Sequence, residues 1–190
     1  MKYSDVDGSI CAPKGFSANG IHCGVRKNAA RKDLALIVSS VPATAAAVYT
    51  TNRVKAASIL VTQEQLADGS IRAIVCNSGN ANACTGAEGL ATARAMASSA
   101  AASLGVDAGQ VAVGSTGVIG VPLPLEPIQK GMAELVSGLR SDTEGADAAL
   151  AAIMTTDTRE KKESFSFECA GVKGRMGGIV KGAGMIHPSM

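Results

Sequence analysis

Few residues in this 190-residue sequence could carry acid–base or nucleophilic chemistry unaided. There are two histidines, His22 and His187, too few for a histidine-centred metal site. The five cysteines, Cys11, Cys23, Cys76, Cys84 and Cys169, contain no CxxC pair, and their odd number leaves at least one thiol unpaired. All five read as small buried hydrophobes. No GxSxG nucleophile elbow is present. Lys181 is followed by Gly182 where a phosphate-binding loop needs Ser or Thr, and no GxGxxG joins a strand to a helix. What remains are hydroxyls and one unusual lysine. Thr116-Gly117, taken by spacing alone, reads as the end of a strand. Lys181 sits among glycines in the apolar run GGIVKGAGM. Burying its charge without a partner is expensive, so it either reaches solvent or meets a carboxylate such as a bound ligand would bring.

The elements that must position these groups follow from periodicity. Asp33–Ser39 reads as a buried strand. Ala45–Tyr49 and Ala57–Thr62 read as two more, joined by a polar turn around Asn52 and Arg53. Ile71–Cys76 is a strand running into the polar loop Asn77–Ala83, whose Asn77, Asn80 and Asn82 are read as holding it by side-chain bonds to backbone. A helix is expected over Ala87–Leu104, with Leu90, Ala93, Ala97, Ala101 and Leu104 at helical spacing and Gly105 as its stop. A strand from Gln110 to Gly114 ends in Ser115-Thr116-Gly117. Helices are expected at Leu125–Leu139, with Pro127 tolerated in the first turn, and at Thr143–Met154. Ser164–Glu168 alternates as a strand, Gly171–Gly174 turns the chain, and Gly177–Met185 is a glycine-rich strand or strand edge where backbone or ligand comes close. Strand meanders with helices gathered after them indicate a single-domain, layered α/β (α+β) fold over residues 1–190, with largely antiparallel pairing.

Composition narrows the class. Apolar residues make up 46% of the chain and aromatics only 3%, so Ala, Val, Ile and Leu must fill the core, with 22 glycines allowing close backbone approach. The net charge of +2 is spread without a basic stripe, and stacking aromatics are scarce, which argues against nucleic-acid binding. No apolar run is long enough to span a bilayer. The first residues lack the apolar core of a secretory signal, and a reducing cytoplasm is the compartment expected from this and the cysteine pattern. The apolar, glycine-rich end GGIVKGAGMIHPSM reads as the interior of a domain, cut or truncated at Met190.

That last segment resembles the processing-site region of the ornithine acetyltransferases (bifunctional glutamate N-acetyltransferases of arginine biosynthesis). Lys181-Gly182-Ala183-Gly184-Met185-Ile186-His187-Pro188-Ser189-Met190 matches the family run that is followed by Ala and Thr, before which the precursor cuts itself. The family's α part normally ends in that alanine, whereas this chain ends at Met190. Further blocks agree in family order: Gly15–Ile21, Asp33–Ile37, Thr50–Asn52, Asn77–Ala83 with Thr85-Gly86, Gly114–Gly120 and Met154–Thr158.

The resemblance implies that this chain is the α part of the autoprocessed enzyme. Its nucleophile would be a threonine freed just beyond Met190, its α-amine acting as base. Acetyl would pass from N-acetylornithine to that threonine and then to glutamate, by ping-pong kinetics without a separate cofactor. Use of acetyl-CoA as a second donor stays open. The resemblance assigns the oxyanion hole to the Thr116 hydroxyl and the Gly117 backbone N–H, and substrate contacts to Thr155 and Lys181; His187 is read as structural. It implies an α/β/β/α sandwich of the type shared with DmpA-like aminopeptidases, completed by a β chain from the same precursor, in an α2β2 heterotetramer without nucleic-acid or membrane partners. The α chain alone would be inactive. Two alternatives remain: a self-processing aminopeptidase of the related fold, and a non-catalytic amino-acid-binding domain.

Overall fold

A computed structural model of the chain describes residues 2–186 and 188–190, so the reading of His187 lies outside the described residues. The elements in chain order are β1 (Lys2–Asp5), β2 (Phe16–Ile21), β3 (Leu34–Thr44), α1 (Ala57–Gln65), β4 (Ser70–Asn80), α2 (Gly86–Leu104), β5 (Val111–Val118), α3 (Leu125–Ser137), α4 (Thr143–Ile153), β6 (Lys162–Cys169) and β7 (Val172–Ile179). They form a four-stranded sheet ordered β2-β3-β4-β5 and a three-stranded sheet ordered β1-β6-β7. Every described pairing is antiparallel except β4 with β5, which α2 connects as a parallel crossover. This is a mixed α/β fold with largely antiparallel pairing, as expected.

Alternation along the strands of the larger sheet sorts its two faces. Leu34, Leu36 and Val38 of β3, with Ala73 and Val75 of β4, point to one side. There they meet Val61 of α1, Met96 and Ala100 of α2, and Ile128, Met132 and Leu135 of α3 in the main core. Ala35 and Ile37, with Cys76, point the other way, onto the alanine face Ala146, Ala149 and Ala152 of α4. The second contact is very close because both surfaces are small. A side chain at Gly20 on β2 would collide with the Ala148 carbonyl, and one at Gly145 would come within 2.6 Å of the Ala18 carbonyl oxygen. The shortage of aromatics is thus met by bringing the helix backbone onto the sheet.

Two sequence expectations fail. Residues 45–50 follow the end of β3 as irregular chain, and Ala57–Thr62 is helical. ASILVT is apolar and partly β-branched, so its local composition cannot separate strand from buried helix. Tertiary context decides. Ala57, Ser58, Val61 and Thr62 are the buried positions, a helical spacing. The Thr62 hydroxyl donates to the Val113 carbonyl and accepts from the Val113 N–H, each at 2.8 Å. One side chain on α1 therefore satisfies backbone groups along β5 that a neighbouring strand would otherwise take, covering a sheet edge with a helix.

The other expected helices hold, with Gly105 closing α2 at φ 68°. The strand expected to stop at Gly114 continues through Thr116 and Gly117 to Val118, and β4 extends to Asn80 through half of the expected asparagine loop. The β6–β7 turn falls at Ala170-Gly171, both with positive φ, one residue before the expected Gly171–Gly174 turn. β7 ends at Ile179, so Lys181 follows a strand instead of lying on one.

Candidate active site

The asparagine loop shapes one wall. Asn77, Asn80 and Asn82 are buried, as the polar-loop reading requires. Asn77 donates to the Asn80 carbonyl and accepts from the Ser115 hydroxyl, Asn80 donates to the Val121 and Pro122 carbonyls, and Asn82 donates to the Gly89 carbonyl. These bonds fix β4 against β5 where β5 carries Thr116 and Gly117 past Ser78 and Gly79. Gly117 has φ 138°, and a Cβ there would lie 2.6 Å from the Asn80 nitrogen. Its missing side chain thus answers to backbone packing against β4, a reason distinct from access for a substrate.

The opposite wall is the segment after β7. Lys181 is partly buried, and its ammonium donates to the Thr116 hydroxyl oxygen at 2.7 Å. Among the described residues no carboxylate lies within ion-pair distance of Lys181. Because Thr116 accepts from the ammonium, its own O–H is left to donate, polarised by the adjacent positive charge. The pair is therefore a directed donor beside a cation without a counter-ion. Gly117 and Val118 next to it are exposed, so the site lies open on one side.

Thr155 arrives at the end of α4. Its carbonyl accepts from Arg31 at 2.9 Å, and the preceding Met154 carbonyl accepts from Arg26. Two guanidinium groups thus bond the first two carbonyls after α4, close to the helix C-terminus where cations are favoured. Arg26 and Arg31 come from the loop wrapped around buried Asp33, whose carboxylate accepts from the Cys23, Gly24 and Arg26 backbone N–H groups. His22 lies 3.3 Å from the same carboxylate and serves that loop. Burial, then Asp33, push the Cys23 thiol up to about 12; burial lifts Cys76 to about 11. Both therefore stay protonated at neutral pH and make poor nucleophiles. Cys84 and Cys169 are exposed, against the expectation that all five cysteines are buried.

Asp157 is the group the sequence reading passed over. One carboxylate oxygen accepts from the Gly182 N–H and from the Lys161 ammonium, both at 2.7 Å, and the other accepts from the Thr155 N–H at 3.2 Å. Lys161 also donates to the Gly182 carbonyl, and the Thr156 hydroxyl accepts from the Gly184 N–H. Lys161 and the Gly182 N–H hold the Asp157 carboxyl well below the usual carboxylate range. The loop carrying Thr155 is thereby clasped to the segment carrying Lys181. Its one visible signal was its place in the Met154–Thr158 block, two residues after Thr155.

The last described residues are also held. The Thr50 and Thr51 hydroxyls donate to the Pro188 and Ser189 carbonyls at 2.6 and 2.9 Å, and the Thr51 N–H donates to the Ser189 carbonyl at 2.8 Å. Met190 is 70% exposed. A separate cleft of about 410 Å³, lined by His22, Cys23, Glu126 and Lys130 among others, shares no residue with the Thr116–Lys181 pair. Among the described residues no group of three or more His, Cys, Asp or Glu is placed to hold a metal ion, and no helix is long and apolar enough to cross a membrane.

Comparison with known proteins gives one answer at every level. A model of the ArgJ family matches residues 17–190. The arginine biosynthesis bifunctional protein ArgJ of Caldanaerobacter subterraneus subsp. tengcongensis is 48% identical over 97% of this chain, and that of Geobacter sulfurreducens 51% identical over 93%. These alignments cover 45% and 44% of the two relatives, so the chain spans a little under half the length of the curated proteins it matches. Among solved structures, arginine biosynthesis bifunctional protein ArgJ from Bacillus halodurans superposes with a TM-score of 0.92 at 45% identity, covering 100% of this chain and 99% of that one. The ornithine acetyltransferase of Mycobacterium tuberculosis, solved in complex with ornithine, also gives 0.92, at 39% identity and 99% coverage of both chains.

Proposed function

Since the chain belongs to the ArgJ family, we propose that it is the α part of a glutamate N-acetyltransferase that moves an acetyl group from N-acetylornithine to glutamate in arginine biosynthesis. The nucleophile is a threonine released by self-cleavage just beyond Met190, on a β part that completes an α/β/β/α sandwich and an α2β2 assembly. Three observations support this reading. The chain spans under half of its curated relatives. Thr50 and Thr51 hold the backbone at Pro188 and Ser189, a few residues before the proposed cleavage point. The observation that carries most weight is the Lys181–Thr116 pair at 2.7 Å, which leaves the polarised Thr116 hydroxyl at the end of β5 free to donate.

The chemistry follows from acyl transfer. The threonine oxygen attacks the acetyl carbonyl carbon of N-acetylornithine, and the oxygen of the tetrahedral intermediate takes the negative charge. Thr116 O–H and the Gly117 N–H donate to it. The C–N bond breaks, ornithine leaves with a proton supplied through the threonine α-amine, and an acetyl ester remains. The amine of glutamate attacks that ester in the second half-reaction, releasing N-acetylglutamate and restoring the threonine. No cofactor is consumed, because the reaction exchanges one amide for another through the ester, with no net loss of an acyl bond. Lys181 and Thr155 contact the substrate, and the unpaired ammonium of Lys181 suits the carboxylate that both amino-acid substrates carry.

The full-length gene product, incubated with N-acetylornithine with and without glutamate, separates this reading from a self-processing aminopeptidase. Ornithine release that rises with glutamate and yields N-acetylglutamate is expected. Faster release without glutamate would point to hydrolysis and overturn the transferase. Intact-mass measurement should find two polypeptides; a single uncut chain would remove the nucleophile and leave an amino-acid-binding domain.

A further inference from the structure

Lys181 is pinned on both sides by groups that take no direct part in the proposed chemistry. Before it, the Val180 N–H donates to the Lys161 carbonyl at 2.9 Å. After it, Gly182 is held twice, its N–H by Asp157 and its carbonyl by the Lys161 ammonium at 2.9 Å. Gly182 adopts φ 146°, a conformation open to glycine that side chains disfavour. The Asp157 side chain has no exposed surface, and its other oxygen anchors the Thr155 N–H. One carboxylate thus bonds the backbone of Thr155 and of Gly182, the residue that follows Lys181. It lies within ion-pair distance of Lys161 and leaves the Lys181 ammonium to Thr116.

We propose that Asp157 is a positioning residue that, with Lys161, sets the Lys181 ammonium on the Thr116 hydroxyl and holds Thr155 in register with it. This deepens the acetyltransferase reading and rests on it for its kinetic consequences. The geometric part stands separately, because the clasp exists in the chain whatever the substrate. The division between Lys161 and Lys181 is the physical point. Asp157 is neutralised by Lys161, which lies outside the site, and it meets the Lys181 segment through the Gly182 N–H. Lys181 therefore keeps an unneutralised charge for the Thr116 hydroxyl and for an incoming carboxylate.

The test uses the full-length enzyme and a double-mutant cycle between Asp157→Ala and Lys181→Met, with kcat and KM measured for N-acetylornithine and glutamate. Asp157→Ala alone should lower kcat/KM at least tenfold for both substrates. In the Lys181→Met background the same change should cost less than twofold, since the residue it positions is gone. Asp157→Asn, which keeps an acceptor oxygen for Gly182, should recover at least half of that loss on a logarithmic scale and serves as the working variant if the alanine form does not fold. Full additivity in the cycle would overturn the proposal, as would an Asn variant no better than Ala. Hydrogen–deuterium exchange provides a readout independent of turnover. Peptides covering residues 180–184 should exchange at least tenfold faster in the Asp157 variants, while those from α2 stay unchanged. Unchanged exchange at 180–184 would also overturn it. A wild-type enzyme that shows the slow exchange but no acetyl transfer would refute the acetyltransferase reading and leave the positioning role standing.

Discussion

At the scale of single residues, the Lys181–Thr116 contact turns a modest hydroxyl into a directed donor. If that donor stabilises an oxyanion, Thr116→Val should cut kcat of the full-length enzyme by about 100-fold or more while folding is preserved, and Thr116→Ser should retain most of the activity. Steady-state kinetics with N-acetylornithine and glutamate check this. A loss confined to KM would assign Thr116 to ground-state binding instead. Asp157 adds a pH dependence. Its carboxyl titrates below the value it has in an unfolded chain, so its ionised form stabilises the fold. That stabilisation is complete above about pH 4, the unfolded carboxylate range, and fades as pH drops through the lower folded value. Wild type should therefore exceed Asp157→Asn in thermal stability at pH 7, and the gap should narrow as pH is lowered below about 4.

At the scale of elements, α1 shows how tertiary partners override local composition. Its hydrophobic stripe is short and its β-branched run favours strand, yet Thr62 on its inner face bonds both backbone groups of Val113. Thr62→Val keeps the shape and removes both bonds, leaving a buried N–H and C=O without that partner. Stability to urea should fall by about 1–3 kcal/mol with an unchanged denaturant slope. The long helices were readable because their spacing and stops agree: α2 carries buried Ala93, Met96, Ala97, Ala100 and Ala101 and ends at Gly105. β2 was missed as a strand, since Phe16–Ile21 was noticed for its resemblance and its Gly20 weakens any strand signal. That glycine is instead the place where α4 rests on the sheet.

At the scale of the whole molecule, large apolar side chains remain uncovered. Val118 and Ile119 after the Thr116 site, Val180 beside Lys181, and Met185 and Ile186 toward the end are each 58% or more exposed. Apolar side chains left uncovered around a site are characteristic of a surface that another polypeptide covers. Residues 1–190 produced alone should therefore bind a hydrophobic dye such as ANS strongly and lack transferase activity. Co-production with the proposed β part should suppress the dye signal and restore turnover. Weak dye binding by the isolated chain would argue that these side chains face water in the native protein.

The sequence alone determined the family, through ordered blocks from Gly15 to Met190, and the periodic elements: three long helices, the β3, β4 and β5 strands and the β6–β7 hairpin. Those features are local, written in spacing, stops and contiguous motifs. It also carried Thr116, Gly117, Thr155 and Lys181 as separate points along the chain. Only the tertiary structure decided that Lys181 and Thr116 touch across 65 positions of sequence, that Ala57–Thr62 coils against β5, and that Asp157 clasps Gly182 to Thr155. Each of these depends on which buried polar group finds which partner. That matching is set by the folded arrangement of distant segments, and no pattern of neighbours along the chain contains it.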